Sequence, residues 1–297
     1  VIISGIPFQL GLIKSMAKDT MLYNGVDSYS GMFQNTHGAA IVTTTSVLIL
    51  LAFIKMKSSI IRYTRLNYAL LAFGIYLIYM TFIRTGYAMF FIGLVFLFLP
   101  KKLSIKQIFY SLLIILILLI GFFYLLETNE FFYNRIFDIR NGRQTAAGSG
   151  RLLFWKASVD LWFNGNVFEM FFGFVYEGLL DQIYKETGLR VYAHNEFFTQ
   201  LGQNGLLGVT FFIGYLIALF NFVWKRRKRP SYPLAMAIFF LYVSLMMTQG
   251  GMWFELDVLM VFVYVKLEFE QRVHKMKRIA ANSYLYKEYG IPIESEL

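Results

Sequence analysis

The chain has 297 residues with no cysteine, 57% hydrophobic, 19% aromatic and only 15% charged residues, and its mean hydropathy is +0.54. A soluble domain carries about 25% charged residues, so this composition excludes a disordered chain, a disulfide scaffold and a cysteine-type zinc site, and nearly excludes a soluble enzyme. The net charge of +10 is typical of a membrane protein with basic cytoplasmic loops, so it gives no reason to expect nucleic acid.

Seven apolar segments predict membrane-spanning helices, because about 20 apolar residues in a helix cross a bilayer core of about 30 Å. They are residues 38–54, 66–83, 86–99, 107–126, 205–224, 233–248 and 253–266. The third follows the second after Arg84 and Thr85, which predicts a tight helical hairpin. The segment before the first span lacks the pattern of a signal peptide, and we expect further residues to precede Val1.

Clusters of lysine and arginine predict the orientation of the chain. They follow the first, third, fifth and seventh spans, beginning at Lys55, Lys101, Lys225 and Lys266. With seven spans all four clusters fall on one side, which the positive-inside rule places in the cytoplasm. The chain then divides into an outer segment with four spans (residues 1–126), a large outer loop (127–194), three spans (195–267) and a cytoplasmic tail (268–297).

The outer loop is rich in aromatic residues and is therefore expected to fold. Leu152, Trp155, Val159 and Trp162 recur at helical spacing, which predicts an amphipathic helix over residues 151–163 that lies against the bundle or at the lipid interface. The preceding residues, 141–150, are rich in small and polar side chains and predict a flexible segment.

Two arginines on the outer side are candidate phosphate ligands, because a guanidinium group stays charged and offers a planar fork of donors. Arg84 lies between two apolar spans, where an anchor that extends into interfacial water explains it equally well. Arg151 begins the amphipathic segment, and Arg143 adds positive charge nearby. Loop arginines of this kind are also commonly just solvated.

His194 is the candidate general base. It precedes Asn195, which we expect to cap a helix that leads into the span at residue 205. The positive end of that helix disfavours imidazolium, and a neutral imidazole can accept a proton. A surface histidine without a role is the alternative, and His37 is expected on the same side.

Glu255 and Asp257 lie at the outer end of the last predicted span. Ionisable residues in spans are candidates for function, and a carboxylate pair could bind a divalent cation. A structural pairing with Arg84 or another outer arginine explains them equally well. The sequence contains no Walker loop, dinucleotide fingerprint, zinc-protease motif or Gly-x-Ser-x-Gly elbow.

In their order and spacing, these motifs resemble the bacterial O-antigen ligase and polysaccharide polymerase (Wzy-type) superfamily. The matching pieces are the arginine-containing turn at 81–86, Gly-Arg-Leu-x-x-Trp at 150–155, Asn-Gly-Asn…Phe-Gly-Phe at 164–174, Ala-His-Asn-Glu-Phe at 193–197 and Asn-Gly-Leu-Leu-Gly at 204–208. The resemblance covers roughly residues 38–266. Members of the superfamily usually have more spans than the seven predicted here.

The resemblance implies an all-helical membrane bundle of the GT-C type. Its members transfer a glycan from an undecaprenyl-pyrophosphate donor to an acceptor hydroxyl at the outer face of the bacterial cytoplasmic (inner) membrane, in O-antigen, capsule or exopolysaccharide assembly. Ligases use a lipid A core sugar as acceptor, and polymerases use another lipid-linked repeat unit. A flippase and a chain-length regulator are the expected protein partners.

The resemblance also implies roles for individual residues. Arg84 and Arg151 would hold the pyrophosphate, and His194 would be essential for catalysis. Arg143 and Asn195, which lie close to them in the sequence, are the further expected substrate contacts. The chemistry is expected to need neither metal nor cofactor.

Two functions from other classes stay open. A polysaccharide transporter or flippase would need polar residues in mid-span and broken helices from paired repeats, whereas the predicted spans are apolar at their centres. A non-catalytic membrane protein of an assembly complex would not need Arg84, Arg151 and His194 to converge. Within the enzyme class, the bias toward Ile, Phe, Tyr, Asn and Lys suggests an AT-rich genome and favours a capsule or exopolysaccharide polymerase over a ligase.

Overall fold

The computed structural model describes residues 2–13, 22–23, 26–27, 29–33, 35–56, 64–98, 139–140, 143–144, 151–250 and 254–289, with isolated positions between 113 and 133. These residues are mostly helical. In chain order the helices are α1 (Gly5–Gln9), α2 (Thr36–Lys55), α3 (Thr64–Met80), α4 (Arg84–Phe98), α5 (Arg151–Phe163), α6 (Val167–Phe172), α7 (Val175–Thr187), α8 (Glu196–Trp224), α9 (Tyr232–Thr248) and α10 (Phe254–Tyr289). Two short antiparallel ladders pair β1 (Leu22–Tyr23) with β2 (Val26–Asp27) and β3 (Ile139–Arg140) with β4 (Arg143–Gln144).

Each predicted span falls on one of these helices, except residues 107–126, most of which lie outside the described ranges. Of the described helices, α2 and α8 are long and apolar enough to cross a membrane, with mean hydropathies of 1.9 and 2.2. The apolar helices α3, α4 and α9 are shorter, and α10 continues past the predicted span to Tyr289. The count of seven spans therefore stays a prediction, as does the expected GT-C architecture.

The centre of the bundle is α9, whose residues from Leu234 to Phe239 are all buried. Six consecutive buried residues cover every side of a helix, as expected for an apolar helix surrounded by others. Its main neighbour is α4, where Phe96 stacks on Phe240 with the ring centroids 3.8 Å apart. Residues of α2, α8 and α10 complete this core.

The longest apolar helix, α8, has the opposite pattern of burial. Only 11% of its most apolar stretch is buried, and the side chain of Phe211 is 75% exposed. A continuous apolar surface of this kind has to be covered by lipid or by a partner. We therefore place α8 at the periphery of the bundle.

The described helices define two chemically different ends. At one end Lys55, the last residue of α2, donates from Nζ to the carbonyl oxygen of Leu97 near the end of α4, 2.6 Å away. At the same end of the bundle Arg226, which follows α8, pairs with Glu268 of α10. The opposite end contains the hairpin between α3 and α4, the start of α8 and the end of α9. The topology predicted from the basic clusters requires this separation, although the cluster at Lys101 lies outside the described residues.

Helix α5 forms where the sequence predicted it, and the residues that it buries are not the predicted apolar set. Leu152 and Val159 are exposed, and the buried residues are Phe154, Ala157 and Ser158. These pack toward α7, in a cluster that includes Leu179 and Ile183. Because α5 carries apolar residues on several sides, periodicity does not reveal which side packs, and the small Ala157 and Ser158 allow the close approach of α7.

The two tryptophans of α5 connect it to the segments that follow. The indole Nε1 of Trp155 donates to the carbonyl oxygen of Ala193 at 2.9 Å, and its ring stacks on Phe198 with centroids 5.2 Å apart. The Nε1 of Trp162 donates to the carbonyl oxygen of Met170, also at 2.9 Å. Trp155 therefore fixes α5 to the start of α8, and Trp162 fixes it to α6.

A kink at Gly205 divides α8 into a short first helix and a long apolar one, and it coincides with the predicted start of a span at residue 205. Gly205 has φ 63° and ψ −156°, and a Cβ there would lie 2.6 Å from the carbonyl group of Phe171 at the end of α6. Gly173 (φ 81°) makes a similar close approach to Gln203, because a Cβ on Gly173 would lie 2.3 Å from the backbone of Gln203. Phe174 N also donates to the carbonyl oxygen of Gly202 at 3.0 Å. The motifs at 164–174 and 204–208 thus contact each other through backbone.

The contact at Gly205 makes the first prediction. Gly205→Ala should lower the free energy of unfolding by about 1–3 kcal/mol, because alanine is strained at this positive φ and its Cβ meets backbone that cannot move aside. Gly214→Ala, in the same helix with open space around it, is the matched control and should be neutral or stabilising. Thermal unfolding in detergent measures both variants, and equal melting temperatures would contradict the predicted interlock.

Candidate functional site

Asn195 connects the start of α8 to the end of α9. Its Oδ1 accepts from the backbone N–H groups of Phe197 (2.9 Å) and Phe198 (3.4 Å), which confirms the predicted helix cap. Its Nδ2 donates to the carbonyl oxygen of Met247 at 3.0 Å, and the residue is only 5% exposed. Both halves of the amide are therefore occupied, and Asn195 fixes the position of the adjacent His194.

The backbone around His194 is tightly constrained. His194 has φ 53°, a left-handed conformation that is uncommon for residues other than glycine. The turn after α9 packs directly against it, because a Cβ on Gly250 (φ 66°) would lie 3.1 Å from the backbone nitrogen of Asn195. Such conformations persist where the surrounding structure enforces them, and they are concentrated at functional sites.

Burial and charge keep the imidazole of His194 neutral. Burial is the main cause that lowers its pKa below the ordinary value of 6.5, and the positive charge of Arg151 lowers that pKa further. A hydrogen bond with the backbone of Gln249 acts in the opposite direction. Since this bond favours the protonated ring, the ring donates and the backbone carbonyl accepts. The other ring nitrogen then carries the lone pair, which is the arrangement that a general base requires.

The side chain of Gln249 joins three helices at this end of the bundle. Its Nε2 lies 3.1 Å from Nδ1 of His37 at the start of α2, and 3.4 Å from Oγ1 of Thr85 in the first turn of α4. A single glutamine at a helix end has no sequence signature, so Gln249 could not be singled out from the chain alone. It connects the segment that carries His194 to the one that carries Arg84.

Arg84 is the first residue of α4, directly after the turn that closes the predicted hairpin with α3. The turn contains Phe82 in a left-handed conformation (φ 53°), and the hydroxyl of Thr81 donates to the carbonyl oxygen of Ile78 at 2.7 Å. Arg84 is half-buried and adjoins Thr85, which links it through Gln249 to His194. It therefore lies at the same end of the bundle as His194.

The structure does not place all the predicted residues in the same way. Arg151 begins α5, half-buried, with its charge close enough to affect His194. Arg143 lies in β4, where its backbone pairs with Arg140, and its part in substrate binding stays a prediction. Asn195 has the structural contacts given above, so we assign it to positioning rather than to direct contact with substrate.

Of the predicted carboxylate pair, the side chain of Glu255 lies outside the described part of the structure, and Asp257 belongs to a different set of contacts. Asp257 hydrogen-bonds the hydroxyl of Tyr242 in α9, so in the described part of the chain its partner is a tyrosine and not Arg84. Among the described residues no group of three or more His, Cys, Asp and Glu side chains could hold a metal ion.

Comparison with known proteins identifies no relative: no family model, no curated protein and no solved structure matches the chain. Its function therefore has to be inferred from the residues of this site and from the motif resemblance described above.

The pair Arg151 and His194 makes the second prediction. Arg151→Gln should raise the pKa of His194, because it removes a positive charge that disfavours imidazolium, and Arg151→Lys should leave it closer to the wild-type value. The pKa is measured by NMR titration of histidine-labelled protein, with His194→Gln to assign the signal. Arg190→Gln is the matched control, since Arg190 forms ion pairs with Glu177 and Asp181. The same shift in both variants would contradict a local effect.

Proposed function

We propose that this protein is a multi-pass membrane glycosyltransferase that moves a glycan from an undecaprenyl-pyrophosphate donor to an acceptor sugar hydroxyl. The observation that carries the proposal is that His194, whose pKa is lowered by burial, also lies close enough to Arg151 for its charge to lower that pKa further, although 42 residues separate them in sequence. A proton acceptor next to a fixed cation is what transfer from a pyrophosphate leaving group needs.

In the proposed reaction His194 accepts the proton of the acceptor hydroxyl as its oxygen attacks the anomeric carbon of the donor. The bond between that carbon and the phosphate oxygen breaks, and undecaprenyl pyrophosphate leaves with the bonding electrons. Arg151 and Arg84 stabilise the negative charge that builds up on the leaving group, because guanidinium donors match phosphate oxygens in pairs. With two fixed cations in these roles, the proposed reaction requires neither a metal nor a cofactor.

The architecture belongs to the same proposal. Seven spans in a GT-C-like bundle would place Arg84, Arg151 and His194 at the outer face of the bacterial cytoplasmic membrane, and the basic end of the bundle in the cytoplasm. Support comes from the two membrane-length helices, α2 and α8, and from the separation of the basic end from the end that holds His194. The glycan acceptor would approach from outside the cell, and the donor from the bilayer.

The enzyme is favoured over a transporter or a non-catalytic assembly protein by the state of His194. Neither alternative requires a half-buried imidazole whose ring is oriented by a backbone carbonyl and whose pKa is lowered by partial burial and by an arginine. Within the enzyme class, we propose a capsule or exopolysaccharide polymerase, with an O-antigen ligase as the second candidate. A chain-length regulator and a flippase would be its partners.

A single-turnover assay with purified donor and acceptor tests the proposed roles. His194→Ala should bind donor normally but slow transfer by about 10²–10⁴-fold, which is the usual contribution of a general base. Because burial and Arg151 lower the pKa of His194, the wild-type rate should stay constant as the pH falls to about 6.5 and decline only below it. Arg151→Lys and Arg84→Lys should impair donor binding nearly as much as the alanine variants, since lysine keeps the charge but not the fork.

The matched control for this assay is Arg190→Lys, which changes an arginine of the same outer segment that is paired with Glu177. It should keep full activity. Loss of donor binding in His194→Ala, together with an unchanged pH profile, would mean that His194 is a donor ligand. Normal transfer by both His194→Ala and Arg151→Ala would refute the enzyme proposal.

The orientation is tested with single cysteines, since the native chain has none. Lys185 in α7 and Lys228 after α8 are both exposed and lie toward opposite ends. An impermeant thiol reagent applied to intact cells should label Lys185→Cys and not Lys228→Cys, whereas both should react after the membrane is opened. Labelling of Lys228→Cys alone in intact cells would invert the proposed topology.

A further inference from the structure

A groove of about 630 Å³ runs along the bundle between α8 and α10, on the side away from His194. It extends from Tyr215 and Met260 to Arg272, and its walls are mainly apolar side chains such as Leu219 and Val261. Phe222 of α8 stacks on Tyr264 of α10 across the groove, with the ring centroids 5.3 Å apart. Elsewhere along the groove α8 and α10 lie further apart. The groove is therefore a lateral opening in an apolar surface.

The groove crosses the predicted boundary of the last span at residue 266. From Met260 to that residue the helix advances about 9 Å at about 1.5 Å per residue, and from there to Arg272 it advances about another 9 Å. An acyl chain could therefore lie along the apolar wall on the bilayer side of this boundary, with its headgroup beyond it, at the end that contains Arg272.

That end of the groove carries net positive charge. Glu268 pairs with Arg226 from the segment after α8 and with Arg272 one turn further along α10, where the Nε–Oε1 distance is 2.9 Å. Two guanidinium groups and one carboxylate leave one positive charge at the mouth. The side chain of Arg272 is 75% exposed, so its guanidinium can also reach an anion in the surrounding headgroup layer.

We propose that the groove binds one anionic phospholipid from the leaflet at the basic end of the bundle. One acyl chain packs along α8 and α10, and the phosphate contacts Arg272. In the orientation proposed above this is the cytoplasmic leaflet. The inference depends on the proposed membrane placement but not on glycan transfer, because the groove lies away from His194.

Native mass spectrometry of the full chain in detergent, with phosphatidylglycerol or phosphatidylcholine added, measures the binding directly. The wild type should bind one phosphatidylglycerol about tenfold more tightly than phosphatidylcholine, which corresponds to about 1.4 kcal/mol. Val261→Trp, which fills the groove, should weaken the binding of both lipids. Val258→Trp changes the same residue type one turn away, outside the lining of the groove, and should leave both affinities unchanged.

Two further variants separate the polar contacts from the apolar ones. Arg272→Gln should remove the preference for phosphatidylglycerol without changing the affinity for phosphatidylcholine, whereas Lys277→Gln, which removes the same charge elsewhere on α10, should not.

The proposal is overturned if Val261→Trp binds lipid as the wild type does, or if the wild type does not distinguish the two headgroups. It is also overturned if Val261→Trp changes the oligomeric state while the bound lipid is retained, because the occupant of the groove would then be protein. A catalytically inactive protein that still binds the lipid would refute the proposed function and leave this inference intact.

Discussion

A single buried amide holds the candidate site together. By capping α8 and donating to the carbonyl of Met247, Asn195 fixes the start of one helix against the end of another. The left-handed backbone of His194, the tight approach of Gly250 and the hydrogen bond from the His194 ring to Gln249 all depend on that junction. Because Gln249 in turn contacts His37 and Thr85, the junction also determines how α2 and α4 meet α8.

Much of the fold could be predicted from the sequence, since apolar stretches of bilayer length and terminating residues are local signals. The turn at Arg84 and the cap at Asn195 were predicted from residues close to them in the chain, and Gly205 was predicted as the start of a span. The buried face of α5 was not, because Ala157 and Ser158 are selected by the approach of α7, which is a long-range effect. Gln249 was missed for the same reason: its contacts with His37 and Thr85 join residues that are distant in sequence.

Arginine side chains have different electrostatic effects at the two ends of the bundle. At the basic end, Arg226 and Arg272 share Glu268, so their charges are partly neutralised at the boundary of the apolar region. At the other end, Arg151 raises the free energy of a protonated His194 and so keeps a nearby base unprotonated. Arginine thus acts as a structural ion-pair member at one end of the bundle, and at the other its charge adds to the effect of burial on the pKa of His194.

The interlock between α6 and the kink of α8 has a topological consequence. Since Gly173 lies against Gln203 and Phe171 against Gly205, the chain leaves and returns at almost the same point. Residues 174–203, which include α7 and His194, therefore form a closed lobe with coincident ends. An insertion in the part of this lobe before Ala193 would therefore lengthen the lobe without separating its two ends, provided that the contacts of His194 and Asn195 with the end of α9 are kept.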